Sequence, residues 1–310
     1  MPKPVRTRLL TPEPSLFLGV RAEEAPLSKA RVAVIPAPFD QTTSYLPGTR
    51  FGPRAILEAS RQVEFYDEEL DREPYEIGVA TLDSIEIEPA DIEASLRRLE
   101  VVVAEVAAQG KIPLTLGGEH SLTIAPVAAL RERYPGLSVL QLDAHLDLRD
   151  AYQGTRQSHA SVMRRIRDLG VSTVAVGIRA VSREEADYVH AERVPVFLGR
   201  EIRRQGLDVD AIVAELGNPV YLTVDLDVFD PAHVPGVGTP EPGGLTWDEG
   251  LALLRAVCER RQIVGVDVVE LCPIPGQIVS EFFAAKLVHK IIGYLGLSPE
   301  KPPGRGRGGR

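Results

Sequence analysis

Residues 112–147 read IPLTLGGEHSLTIAPVAALRERYPGLSVLQLDAHLD, and this one unit decides the fold class. Ile112–Leu116 is a short apolar run closed by a glycine pair, and Ser138–Leu142 is a second such run. Leu122–Arg133 between them carries apolar residues at helical spacing. Continuous apolar character over five residues suits a strand buried on both faces, as in a parallel sheet. Two parallel strands joined through a helix make a right-handed crossover.

The same pattern repeats outward in both directions. Strand-like runs fall at Val32–Pro36, Ile77–Leu82, Thr173–Gly177, Val194–Leu198, Val220–Val224 and Ile263–Val269. Helix-period segments lie at Ala90–Ala108, Ser161–Leu169, Arg183–Glu192, Asp208–Leu216, Trp247–Arg260 and Gln277–Leu295, and Pro53 opens a further one over Arg54–Ala59. This alternation predicts one α/β domain with a mainly parallel sheet of about eight strands and helices on both faces. The domain is expected over residues 31–296, behind an N-terminal extension of residues 1–30. The Gly, Pro and Arg of residues 297–310 cannot build a packed core and are expected to form a disordered tail.

Bulk properties exclude several classes. A chain of 310 residues can bury a core without staples, and two cysteines, Cys258 and Cys272, are too few for a disulfide framework. They fit a reduced cytosol, no apolar run approaches the ~20 residues of a membrane span, and a cytoplasmic location is expected. The net charge of −9, with Lys and Arg scattered, argues against nucleic acid and favours cationic ligands.

In parallel sheets, ligands bind beyond the carboxyl ends of the strands. The chemically loaded residues follow the strands in this chain: Gly117-Gly118-Glu119-His120-Ser121, Asp143-Ala144-His145-Leu146-Asp147, Asp225-Leu226-Asp227 and Asp267-Val268-Val269-Glu270. A lone Asp or His after a strand is usually a cap. Residues at i, i+2 and i+4 of an extended segment share a face, however, so Asp143, His145 and Asp147 can converge, as can Asp225 and Asp227. Carboxylates crowded this way repel one another and are costly to desolvate unless divalent cations join them. A hard, oxygen-rich set with two imidazoles suits Mn²⁺ better than a cysteine-rich zinc site would.

These blocks, together with Thr223, Asp230-Pro231, Pro235-Gly236 and Gly243-Gly244, resemble the ureohydrolases, the family of arginases and agmatinases. The similarity extends over about residues 31–296. It implies an arginase-like fold and a metal centre of two Mn²⁺ ions. One ion would take His120, Asp143, Asp147 and Asp225, and the other Asp143, His145, Asp225 and Asp227. It also implies that Glu270 holds a guanidinium group, that His159 shuttles a proton, and that the chain assembles as a trimer or hexamer.

The stretch Asp143–Arg165, and Pro38-Phe39-Asp40 through Phe51-Gly52-Pro53, look like prokaryotic agmatinases. Agmatine is therefore the leading expected substrate, giving putrescine and urea. N1-aminopropylagmatine is the near alternative, with guanidinobutyrate, arginine and formiminoglutamate behind. Asp40, Asp150 and Glu241 are candidates for the distal ammonium. A non-catalytic family member is disfavoured by the complete ligand set, Glu270 and His159.

Overall fold

A computed structural model describes residues 16–20 and 25–299. Most of the expected N-terminal extension and of the tail lies outside the described residues. The elements run β1 (Val32–Ala37), α1 (Gly52–Ser60), β2 (Val79–Thr81), α2 (Ile92–Ala108), β3 (Ile112–Gly117), α3 (Ile124–Arg133), β4 (Ser138–Leu142), α4 (Val162–Asp168) and β5 (Ser172–Ile178). They continue as α5 (Arg183–Glu192), β6 (Val196–Leu198), α6 (Gly199–Gln205), α7 (Val209–Glu215), β7 (Val220–Asp225), α8 (Trp247–Arg260), β8 (Ile263–Val269) and α9 (Val279–Leu295).

All eight strands lie in one sheet, ordered β2-β1-β3-β8-β7-β4-β5-β6, and every pairing is parallel. Successive residues of a strand point to opposite faces, so each central strand feeds two cores. Leu140, Leu142, Leu222, Val224, Val266 and Val268 pack on one side with residues of α1, α8 and α9. Val139, Tyr221 and Val264 pack on the other with residues of α2, α3 and α4. Each of these leucines and valines is almost wholly buried, contributing about 1.5–3 kcal/mol relative to exposure. This double burial is why the strands read as largely apolar runs.

Four of the helices, α2, α5, α7 and α8, begin where a side chain satisfies their free N–H groups. α5 and α8 each start with a reciprocal capping box, Ser182 with Glu185 and Thr246 with Glu249. The Asp91 side chain accepts from Ala94 N to open α2. α6 was not expected from sequence, because its seven residues bury only Gly199 and Ile202 and show no apolar period. β2 and β6 are shorter than expected, three residues each, and form the two edges of the sheet. Among the described residues, no helix is long and apolar enough to cross a membrane. Both cysteines are free and buried.

Candidate active site

The sheet order decides the site. β3, β8, β7 and β4 are neighbours, so the loops leaving their carboxyl ends converge although they are far apart in the chain. His120 opens the single turn after β3, Asp143 follows β4 directly, Asp225 ends β7, and Glu270 follows β8. Gly118 lets the β3 loop press against its neighbour: a Cβ there would stand 1.7 Å from the Phe39 carbonyl oxygen.

Two site residues hold left-handed backbone, Asp147 at φ 53° and Glu270 at φ 65°. Such conformations cost about 1–3 kcal/mol each and persist where the surroundings enforce them. Here Met163 N and Arg164 N at the start of α4 donate to Asp147 O, at 3.0 and 3.2 Å. Glu270 N donates to Gly118 O at 2.8 Å.

The carboxylates gather around two imidazoles. His120 Nδ1 lies 3.1 Å from Asp143 Oδ2, 3.0 Å from Asp147 Oδ2 and 3.5 Å from Asp225 Oδ2. It is buried and makes a hydrogen bond to none of them. His145 Nδ1 lies 2.9 Å from Asp227 Oδ2 and 3.6 Å from Asp143 Oδ1. Asp143 thus turns one oxygen to each imidazole. His120, Asp143 and Asp147 form one group able to hold a metal ion, and Asp143, His145 and Asp227 form a second that shares Asp143. Asp225 joins the first group through its Oδ2, while its Oδ1 accepts from Asp227 N at 2.9 Å. A buried imidazole nitrogen with no hydrogen bond, ringed by three carboxylate oxygens, fits a bound cation.

The electrostatics agree. Burial, then the charge of Asp143, pushes the Asp147 carboxyl up to about 7. Burial, then Asp227 and Asp143, raises Asp225 well above the carboxylate range. Burial, then Glu119, does the same to Glu270. Burial alone would raise Asp143, but His120 and His145 outweigh it and hold that carboxyl low. Burial would lower the imidazoles, yet Asp227 and Asp143 carry His145 to about 12, and Asp143 and Asp147 raise His120 well above its usual value. So much negative charge in so little space calls for cations.

The site opens into a cavity of about 290 Å³ whose walls include His145, Asp147, Asp225, Asp227, Glu270 and His159. Glu270 Oε1 accepts from His120 N at 2.7 Å. His159 presents a buried Nε2 without a hydrogen-bond partner, and its ring meets Tyr152 edge-on at 6.1 Å. Burial, then His145 and His120, pulls His159 down to about 4, so the ring rests neutral.

Of the three residues expected at the distal end of a substrate, two have their carboxylates held by neighbours. Asp40 is buried and organises its own loop, accepting from Gly48 N at 2.8 Å, Thr43 Oγ1 at 3.0 Å and Arg50 Nε at 3.2 Å. Asp150 is exposed and pairs with Arg156 and Arg165, both at 2.9 Å. Glu241 is half-buried and meets its neighbours through its backbone, where its carbonyl accepts from Arg179 Nη2 at 2.8 Å. Asp267 lies inside β8, short of the sheet's edge.

Sequence reasoning gave no role to several residues here. Arg179, directly after β5, donates to the carbonyls of Asp227, Val228, Phe229 and Glu241 and clamps two loops of the site. Its position just past a strand was the available signal. Glu119 accepts from Gln41 N, Thr42 N, Thr42 Oγ1 and Ser121 Oγ, while His159 N donates to Thr42 Oγ1 at 3.0 Å. It thereby ties the loop bearing His159 to the β3 turn. Glu185 lines the cavity and accepts from Leu148 N at 3.1 Å, a contact that its capping motif does not disclose.

Known proteins share both chain and fold. An N(1)-aminopropylagmatine ureohydrolase of Synechocystis sp. is 41% identical over 298 residues, covering 94% of this chain and 97% of that protein. An agmatinase of Pyrococcus horikoshii is 36% identical, covering 86% and 93%. The crystal structure of the agmatine ureohydrolase of Thermoplasma volcanium superposes with a TM-score of 0.80 at 34% identity, covering 87% and 92%. The model of the arginase family matches residues 30–293, every strand and both imidazole–carboxylate groups included, and the chain belongs to that family.

Proposed function

We propose that the chain hydrolyses the guanidinium group of agmatine, releasing urea and leaving putrescine, at a centre of two Mn²⁺ ions. The observation that carries this is the convergence of three carboxylates on the unbonded Nδ1 of His120, beside a second group that shares Asp143. His120, Asp143, Asp147 and Asp225 would hold one ion, and Asp143, His145, Asp225 and Asp227 the other. The donor set is hard and lacks thiolate, which suits Mn²⁺. The chemistry supplied by the bound pair is a water acidic enough to give hydroxide near neutral pH, with stabilisation of developing negative charge.

The chain's own groups do the rest. Glu270 lines the cavity, and its carboxylate pairs with the planar N–H fork of the guanidinium. A cation placed there also returns Glu270 to its charged form, which burial and Glu119 oppose. His159, neutral at rest, takes at Nε2 the proton that the attacking water gives up and hands it to the departing amine nitrogen. The strained backbone at Asp147 and Glu270 fixes both carboxylates before substrate arrives.

A second reading is N1-aminopropylagmatine, which differs only in the tail beyond the guanidinium. It is favoured by identity: the relatives at 40–41% carry that name, against 36–37% for those named agmatinase. Urea release with Mn²⁺ from agmatine, N1-aminopropylagmatine, arginine and guanidinobutyrate, compared as kcat/KM, chooses between the readings. No urea from any of the four, with two ions bound, refutes both.

A further inference from the structure

We propose that Asp267 is a positioning residue for His120, acting through the Thr223 hydroxyl to fix which ring nitrogen carries the proton. The inference rests on the reading of His120 as a metal ligand. Asp267 lies in the middle of β8, is wholly buried and stands across from Thr223 on β7. A carboxylate inside a sheet is costly unless it is fully hydrogen-bonded. Three hydroxyls supply those bonds: Thr223 Oγ1 donates to Oδ1 at 2.6 Å, and Tyr221 OH and Thr123 Oγ1 donate to Oδ2 at 2.7 and 2.8 Å.

The direction of these bonds follows from counting protons. With three hydroxyls donating to it, the Asp267 carboxyl group only accepts, and a threonine hydroxyl has one proton to give. Thr223 directs that proton to Asp267, so towards His120 Nε2, at 2.8 Å, its oxygen can only accept. The Nε2 position therefore carries the hydrogen, and Nδ1 is left with its lone pair. Nδ1 is the nitrogen that faces Asp143, Asp147 and Asp225 without a hydrogen bond. The chain Asp267–Thr223–His120 thus sets tautomer and ring orientation together, the arrangement that makes imidazole an effective ligand.

An amide at position 267 tests the direction. Its oxygen is best placed against the two donors Tyr221 and Thr123, which turns its NH₂ towards Thr223. The Thr223 hydroxyl then accepts from the amide, and its own proton, deprived of the carboxylate oxygen, turns to His120 Nε2, moving the ring proton to Nδ1, where it blocks ligation.

The experiment measures Mn²⁺ stoichiometry and affinity by equilibrium dialysis, with melting of the metal-free proteins alongside, for wild type, Asp267→Asn, Thr223→Val and Thr223→Ser. Asp267→Asn and Thr223→Val are expected to bind one of the two ions roughly 10–100-fold more weakly, and Thr223→Ser to restore affinity. Should Asp267→Asn fail to fold, the isosteric Thr223→Val decides. Two ions bound by Thr223→Val with wild-type affinity would overturn the inference. Weakening that Thr223→Ser does not rescue would overturn it as well, since a merely structural role predicts that. A wild-type protein that binds no Mn²⁺ refutes the metal centre itself and is thereby told apart.

Discussion

Replacing Asp143 with asparagine keeps the size of the side chain and removes the charge shared by the two imidazole groups. The structure sets the cost to folding. Gln141 Nε2 donates to Oδ2 at 2.8 Å and His145 N donates to Oδ1 at 2.6 Å. An amide has one oxygen, so whichever way it turns, its NH₂ faces one of these donors. A buried donor left without an acceptor costs about 1–3 kcal/mol, which lowers the melting temperature of the metal-free protein by roughly 2–12 °C at 2–4 °C per kcal/mol. The cost to function is larger. Asp143 turns an oxygen to each group, so both ions bind more weakly, and about 4 kcal/mol of lost metal assistance is roughly a 10³-fold fall in kcat. Urea release under saturating agmatine or N1-aminopropylagmatine, with Mn²⁺ counted per chain, measures both effects. Native turnover with two ions bound would refute the placement of Asp143 between the groups. Loss of one ion with full affinity for the other would refute its sharing.

His159→Asn should lower kcat by roughly 10²–10⁴-fold while leaving Mn²⁺ stoichiometry at the wild-type value, because the ring lines the cavity and touches no carboxylate of the metal groups. A parallel loss of metal would place His159 in the centre instead. The network that joins Glu69 to α8 and α9 should give a pH-dependent stability term. Burial alone would raise Glu69, but Tyr294, Arg255 and Lys290 hold it down to about 2, below its ordinary 4.5. A depressed carboxyl stabilises the fold fully above its unfolded value and loses that contribution as pH falls through the folded one. The melting-temperature gap between wild type and Glu69→Gln should therefore be full above about pH 4.5 and close towards pH 2. A gap that stays constant over that range would contradict it.

The local sequence determined the fold class, because burial on both faces leaves a mark that needs no partner: Ile112–Leu116, Ser138–Leu142 and Val220–Val224 are mostly apolar on both sides of the pleat, with Thr115, Ser138, Gln141 and Thr223 as their only polar members. It also determined the imidazole–carboxylate blocks, since the spacing of Asp143, His145 and Asp147 is read from one short segment. What it left open was whatever depends on which strands are neighbours. The order β3-β8-β7-β4 brings His120 against Glu270, 150 residues away, and Thr223 against Asp267. Sheet order is set by how helices α1, α8 and α9 pack on one face and α2, α3 and α4 on the other, a long-range matter absent from any window of sequence. The surroundings of two distal-end candidates have the same cause. Asp40 and Asp150 are acidic residues in loops of the right region, but tertiary contacts with Gly48, Arg50, Arg156 and Arg165 claim their oxygens first. Arg179 escaped notice because its five N–H donors find their work on backbone carbonyls of distant loops, which no side-chain motif records.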